Sequence, residues 1–202
     1  MGLKNFLTKD KIEAGCDEAG RGCWAGPVVA ASVILPRNFR CPELDDSKKL
    51  SLKKRLALRQ LIEKKALAYA VSFIDHEKID EINILNASFL AMSEATKQLS
   101  QTPEILLIDG NRFKSDLNIP FECIIKGDGK FKSIAAASVL AKTYRDEYME
   151  KMHVEFPDYD WISNKGYPTK KHREGIKKVG LSPIHRLSFK QTEEQLDRKS
   201  VV

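Results

Sequence analysis

Ile12-Glu13-Ala14-Gly15-Cys16-Asp17-Glu18-Ala19-Gly20-Arg21-Gly22 decides how the rest of the chain is read. The stretch begins as an alternating segment, reads as a strand over about 12–17, and is followed by a second apolar strand at about 27–35. Two adjacent carboxylates, Asp17 and Glu18, stand where the first strand ends. Neighbouring strand residues point to opposite faces, so one acid must face inward or line a cleft. A crowded or buried anion needs a partner, and a cation from solution is the simplest one. The glycines flanking Arg21 let backbone N–H groups come close to an anion such as a phosphate. The stretch therefore points to a metal and phosphodiester site.

Outward from this segment, further strands read at about 66–74, 104–109 and 121–126. Ile105-Leu106-Leu107-Ile108 is continuously apolar, as in a strand buried on both faces. Ser51 is placed to N-cap a helix whose buried side carries Leu52, Leu56, Leu61 and Ile62. A second helix covers about 83–99, with Leu85, Phe89, Met92 and Leu99 near helical spacing; a third begins around Lys132, its alanines suited to close packing on a sheet. A short helix follows Pro168. The order β-β-α-β-α-β-β-α gives an α/β protein, a mixed central sheet flanked by helices, with a small C-terminal helical extension. One domain is expected over 1–202: a core at about 10–155, a basic helical segment at about 156–190 and a loose tail at 191–202.

At 42% hydrophobic and 31% charged residues the chain is of ordinary globular composition. Its longest apolar run is too short to cross a bilayer, and residues 1–11 hold no signal-peptide stretch, so a cytoplasmic monomer away from membranes is the expectation. The four cysteines form no CxxC pair and match no histidine spacing, which argues against zinc. The net charge of +6 is uneven: residues 47–65 carry eight Lys/Arg against one acid, and residues 165–178 carry six against one. A basic rim around an acidic centre suits a polyanion held over a metal site, although two solvated helix faces would give the same counts.

Two more acids resemble Asp17 in placement. Asp109 closes the buried strand before Gly110-Asn111, and Asp128 lies between Gly127 and Gly129 beyond the strand at 121–126. Each alone reads as turn chemistry; together they can meet at one sheet edge, where open α/β sheets place their ligands. An all-oxygen donor set favours Mg²⁺ or Mn²⁺. Such sites commonly hold two ions roughly 4 Å apart. Asp146 is the rival fourth acid, but Lys142 four residues earlier supplies an ordinary helical ion pair for it.

Five ordered blocks then carry a resemblance: Asp17-Glu18-Ala19-Gly20-Arg21-Gly22; Asp45-Asp46-Ser47-Lys48-Lys49-Leu50; Ile108-Asp109-Gly110; Lys126-Gly127-Asp128 with Ala135 to Lys142; and Lys165-Gly166-Tyr167-Pro168-Thr169. In order and content they resemble bacterial type 2 ribonuclease H (ribonuclease HII), over about residues 12–189. The resemblance implies a ribonuclease H-like fold and an endonuclease that cuts the RNA strand of RNA–DNA hybrids and incises at single ribonucleotides in duplex DNA. It implies two-metal-ion catalysis leaving 3′-hydroxyl and 5′-phosphate ends, and a part in ribonucleotide removal during DNA replication and repair. It assigns Asp17, Glu18, Asp109 and Asp128 to metal binding and catalysis. It assigns Gly20, Arg21, Gly22 and Tyr167 to the ribose 2′-hydroxyl, and Ser47 and Lys48 to the phosphate backbone. The run Gly129-Lys130-Phe131 is looser than the family's usual continuation, and the tail lacks a paired-aromatic sliding-clamp motif.

Lys170, Lys171, His172, Arg173, Lys177 and Lys178 are further candidates for phosphate contact. Gly15 to Gly20 has the spacing of a phosphate loop but lacks the following Lys-Ser/Thr, and Ser51-Leu52-Lys53-Lys54 stands alone without partner motifs. His185-Arg186-Leu187-Ser188-Phe189 matches a C-terminal block of the family without a mechanism of its own. The rivals from other classes are a catalytically silent hybrid-binding module and another nuclease of the same fold, such as a junction resolvase.

Overall fold

The computed structural model describes residues 2–44 and 50–190. Five strands form one sheet in the order β3-β2-β1-β4-β5. They are β1 (Glu13–Ala19), β2 (Val28–Ile34), β3 (Ala68–Ile74), β4 (Ile105–Asp109) and β5 (Phe121–Ile124). The first three run antiparallel, with Asp17 opposite Ala31 and Val29 opposite Phe73. On the other side β1, β4 and β5 run parallel, with Cys16 beside Ile108 and Asp109 beside Ile124. Both β1 and β4 therefore deliver their C-terminal acids to the same edge of the sheet. Strand β5 is shorter than its apolar pattern suggests, because Lys126 turns into the left-handed region at φ 56°.

Alternation along β1 divides the core. Ala14 and Cys16 face α3 (Ile84–Lys97), where Ala87, Ala91 and Met92 pack with Leu106 and Ile108. Gly15 and Asp17 face the opposite way, toward α4 (Lys132–Glu155). That helix comes so close that a Cβ on Gly15 would lie 2.2 Å from the Ser133 carbonyl carbon. Only glycine permits this approach, and it is what brings Ser138, five residues further along α4, within reach of Asp17. Ala135, Ala136 and Ala137 complete the contact with Ala31 and Val33.

Helix α1 (Leu52–Lys65) starts at Ser51, whose hydroxyl accepts the Lys54 N–H, as the sequence indicates. Its buried side agrees with the expected one in part: Ile62 is buried and Leu61 packs beside it, but Leu52 and Leu56 are exposed and Leu58 is buried in their place. Leucines at 52, 56, 58 and 61 surround the helix without a unique apolar stripe, and packing against α4 selects the face. A further helix, α2 (His76–Ile82), precedes α3, capped by the Asp75 carboxylate on the Lys78 N–H. After α4 come the one-turn α5 (Trp161–Asn164) and α6 (Lys170–Val179). These pack as a separate cluster of Trp24, Ala25, Met149, Tyr159, Trp161 and Ile176, placed against the loop that follows Glu18. Among the described residues no helix is long and apolar enough to cross a membrane.

Candidate active site

Asp17, Glu18 and Asp109 meet at the ends of β1 and β4, in the walls of two adjoining cavities. One, of about 320 Å³, is lined by all three together with Gly20, Gly22, Ser138, Lys142 and Tyr167. The other, of about 290 Å³, shares Glu18, Arg21 and Asp109 and is closed by Phe89, Met92 and Arg112. Asp17 is buried, and its carboxyl is held well above the usual carboxylate range, first by burial, then by Glu18 and then by Asp109. The Ser138 hydroxyl and the Glu18 N–H (2.7 Å) oppose this by hydrogen-bonding the anion. Burial also raises Glu18, against the Arg21 guanidinium 3.2 Å away, while Asp109 pushes it up further.

Asp109 Oδ1 accepts the Gly127 N–H at 2.6 Å, which joins the third acid to the turn carrying the fourth. Asp128 itself is buried in a 3₁₀ turn, its Oδ1 accepting the Gly129 N–H at 2.9 Å. Among the described residues no group of three or more His, Cys, Asp or Glu side chains is arranged as a finished metal cage. One oxygen on each of these four acids already has a protein donor. The donor set nonetheless fits a hard divalent cation: its groups are all oxygens, and Asp17 lies under electrostatic pressure that positive charge would relieve. Asp146 takes the structural role expected of it, its Oδ1 2.6 Å from Lys142 Nζ. The same Lys142 stands 6.0 Å over the Tyr167 ring.

Tyr167 is 40% exposed and lies on the cavity wall, so it is no core residue. Its ring comes within 3.8 Å of the position a Gly22 side chain would take, and its hydroxyl hydrogen-bonds Cys23. Burial and Cys23 push its phenol up. Gly20 takes φ +97°, and a Cβ there would fall 2.0 Å from Arg145 Nε. Ser47 and Lys48 lie outside the described residues.

One sequence expectation is overturned. His172 is completely buried and faces away from any phosphate surface. Its Nδ1 donates to the Tyr167 carbonyl (2.9 Å), leaving Nε2 to accept from Trp161 Nε1 (3.1 Å) and from His185 Nε2 (3.1 Å). His185 Nδ1 in turn accepts the Ser182 N–H at 2.8 Å. The donors around each ring thus fix one neutral tautomer apiece. Along α6 several cations are matched by acids, Lys178 with Asp158 at 2.6 Å and Lys171 with Asp160 at 3.6 Å, while the Arg173 guanidinium lies 5.5 Å over Trp24.

Two buried arginines were not among the expected site residues. Arg145 donates from Nε to the Pro27 carbonyl (2.9 Å), from Nη1 to Lys165 (2.8 Å) and from Nη2 to Ala25 (3.1 Å). Arg186 donates from Nε to Gly26 (2.9 Å), from Nη1 to Arg21 (3.1 Å) and from Nη2 to Pro27 (3.0 Å). Burial and the neighbouring Arg145 charge lower Arg186 to about 10. The only sequence signal for them was the position of each inside a resemblance block or next to one.

The ribonuclease HII family profile matches residues 14–192, across both the acids and the Tyr167 loop. The chain belongs to the ribonuclease HII family. A ribonuclease HII of Bacteroides thetaiotaomicron is 62% identical over 187 residues, 93% of this chain and 94% of the relative. One from Christiangramia forsetii is 59% identical over 194 residues, 96% and 98% of the two chains. Among solved structures, ribonuclease H2 of Pyrococcus horikoshii shares the fold, with a TM-score of 0.75 at 24% identity over 94% of this chain and 99% of that one. The RNase HII of Archaeoglobus fulgidus, solved in complex with PCNA, gives 0.70 at 26% identity over 93% and 99%. Family membership makes the chain a ribonuclease H, a metal-dependent endonuclease of the hydrolase class. Enzymes of the ribonuclease H family depend on divalent metal, and RNase HIII of Bst, a further fold neighbour at TM-score 0.71 and 20% identity over 93% and 70%, was solved with Mn²⁺.

Proposed function

We propose that the chain cuts the RNA strand of RNA–DNA hybrids and incises duplex DNA at single embedded ribonucleotides, leaving 3′-hydroxyl and 5′-phosphate ends. The observation that carries this reading is the adjacency of two unlike surfaces. Crowded acids lie on one side of a single cavity, and a glycine loop with a half-exposed tyrosine lies on the other. Asp17, Glu18, Asp109 and Asp128 would hold Mg²⁺ or Mn²⁺, which when bound supplies an activated water and charge stabilisation for the leaving oxygen.

The chain's own residues do the rest. Tyr167 offers its ring face to a sugar and its hydroxyl to a polar partner. The 2′-hydroxyl is the one group that separates ribose from deoxyribose, and the backbone of Gly20-Arg21-Gly22 can meet it with N–H and C=O groups. Lys142, held by Asp146, brings positive charge beside Tyr167, and Arg21 brings it to the cavity mouth beside Glu18. Lys170, Arg173 and Lys177 of α6, together with Ser47 and Lys48, are the candidates for holding the phosphate backbone.

Duplexes with one labelled ribonucleotide test the reading. Incision at that position, abolished by chelation and by exchange of the ribose for deoxyribose, is the expected result. Cutting that persists after complete chelation, or that ignores the sugar, overturns it.

A further inference from the structure

The two buried arginines have no part in the chemistry described so far, and Arg186 belongs to a C-terminal block that the sequence left without a mechanism. All six of their side-chain bonds named above end on backbone carbonyls, five of them in the loop from Arg21 to Pro27. The docking is reinforced by backbone bonds, Arg186 N–H to the Trp24 carbonyl (2.8 Å) and Gly26 N–H to the Ile184 carbonyl (2.9 Å). Asp80 closes the far end by accepting the N–H groups of Leu187 (2.7 Å) and Ser188 (3.0 Å).

One of these bonds has a geometric consequence. Arg186 is completely buried, so the Arg21 carbonyl that it holds points into the protein. Among the described residues no peptide bond is cis, and in a trans peptide the N–H points opposite to the C=O. The Gly22 N–H is thereby turned away from Arg186. Gly22 is exposed on the wall of the cavity that also holds Tyr167 and the acids. Arg145 fixes the same loop from below, packed against the Cα of Gly20 and tied to Ala25, Pro27 and the Lys165 carbonyl two residues before Tyr167.

We infer that Arg186, seconded by Arg145, is a positioning residue for substrate choice: by holding the Arg21 carbonyl inward it presents the Gly22 N–H to the ribose 2′-oxygen. A guanidinium suits this task because its planar fork reaches several carbonyls at once, which a lysine ammonium on a flexible stem cannot do. The inference rests on the function proposed above, and its test separates the two.

In an Asp109→Asn background, which is expected to bind without cutting, affinity would be measured for a duplex with one ribonucleotide and for the same duplex in all-DNA form. Failure of that protein to prefer the ribonucleotide would overturn the proposed function itself. Given that preference, Arg186→Lys, which keeps the charge and loses the fork, is expected to reduce it about 3- to 10-fold, the worth of one neutral hydrogen bond. A folded Arg186→Lys protein that keeps the full preference, even with a lower melting temperature, marks the arginine as structural only and overturns the inference. Should Arg186→Lys not fold, glycolic acid incorporated at position 22 decides the matter, because the ester lacks the N–H while Arg186 stays in place. The same reduction supports the inference, and an unchanged preference refutes it.

Discussion

Acidification is expected to loosen the C-terminal segment through His185. Both nitrogens of this buried ring are committed, Nδ1 to the Ser182 N–H and Nε2 to His172, so an added proton has no place to go without breaking a bond. Burial and then the adjacent His172 lower His185 from the ordinary 6.5 to about 4, and burial lowers His172 as well. The sign follows from which state binds the proton first. Below about pH 6.5 the unfolded imidazole is protonated while the folded one is still neutral, so stability is full near neutrality and falls with pH until about 4. At about 1.4 kcal/mol per pH unit the whole fall is worth about 3 kcal/mol, of which about 2 is gone by pH 5. Urea denaturation of the wild type and of His185→Gln at about pH 7.5, 6 and 5 measures it. The variant is expected to be less stable near neutrality but to lose about 2 kcal/mol less between pH 7.5 and 5. Parallel curves for the two proteins would show that His185 does not titrate in this window and would refute the reasoning.

Asp109→Asn removes one of the charges that crowd Asp17. Cleavage should be almost completely lost, and the metal-free variant should melt higher than the wild type by about 2–4 °C for each kcal/mol of repulsion relieved. Added Mg²⁺ should raise the wild-type melting temperature more than the variant's; calorimetry showing both proteins unmoved by mutation and metal would deny that the acids are clustered. Gly20→Ala places a Cβ against the Arg145 guanidinium at a φ that disfavours alanine, and should cost on the order of 3 kcal/mol by urea midpoint. Tyr167→Ala should lower incision at a single ribonucleotide by about 10- to 100-fold, as expected for a lost stacking surface; equal rates for variant and wild type would remove Tyr167 from the site.

What could be read from the sequence was whatever depended on local pattern. The continuous apolar run at 105–108 is the β4 core, and the alternation at 12–17 becomes β1 with Asp17 and Glu18 on opposite faces. The acids at the two strand ends follow directly from that pattern and from the parallel pairing of β1 with β4. Helix α2 went unread because His76-Glu77-Lys78-Ile79-Asp80-Glu81-Ile82 buries a single apolar residue, Ile79, and its best signal is the Asp75 cap. The N-terminal half of the buried side of α1, Leu52 and Leu56, was misread for a different reason: leucines on several sides leave the choice of face to its tertiary neighbours. His172 and Arg186 were illegible in kind. Thirteen residues part His172 from His185, and Arg186 reaches back 165 residues to Arg21, distances over which sequence periodicity carries no information.

The division of labour follows from how each part is supported. The acids Asp17, Glu18 and Asp109 end strands whose neighbours on both sides are hydrogen-bonded, so their spacing is set by the sheet register itself. The Gly20 to Pro27 loop has no such ladder at its tip. Beyond a few backbone bonds to Gly166, Ile184 and Arg186, it is held by carbonyls captured by two guanidinium groups, one from the long helix α4 and one from the chain's C-terminal segment. A change in that segment can therefore reach the glycine-loop face of the cavity, which is proposed above to read the sugar, while the sheet register still holds the acids. The two supports meet at Arg21, whose carbonyl Arg186 holds and whose guanidinium lies 3.2 Å from Glu18; on the function proposed above, Arg186→Lys should therefore change which duplex is chosen more than how fast the phosphodiester is cut.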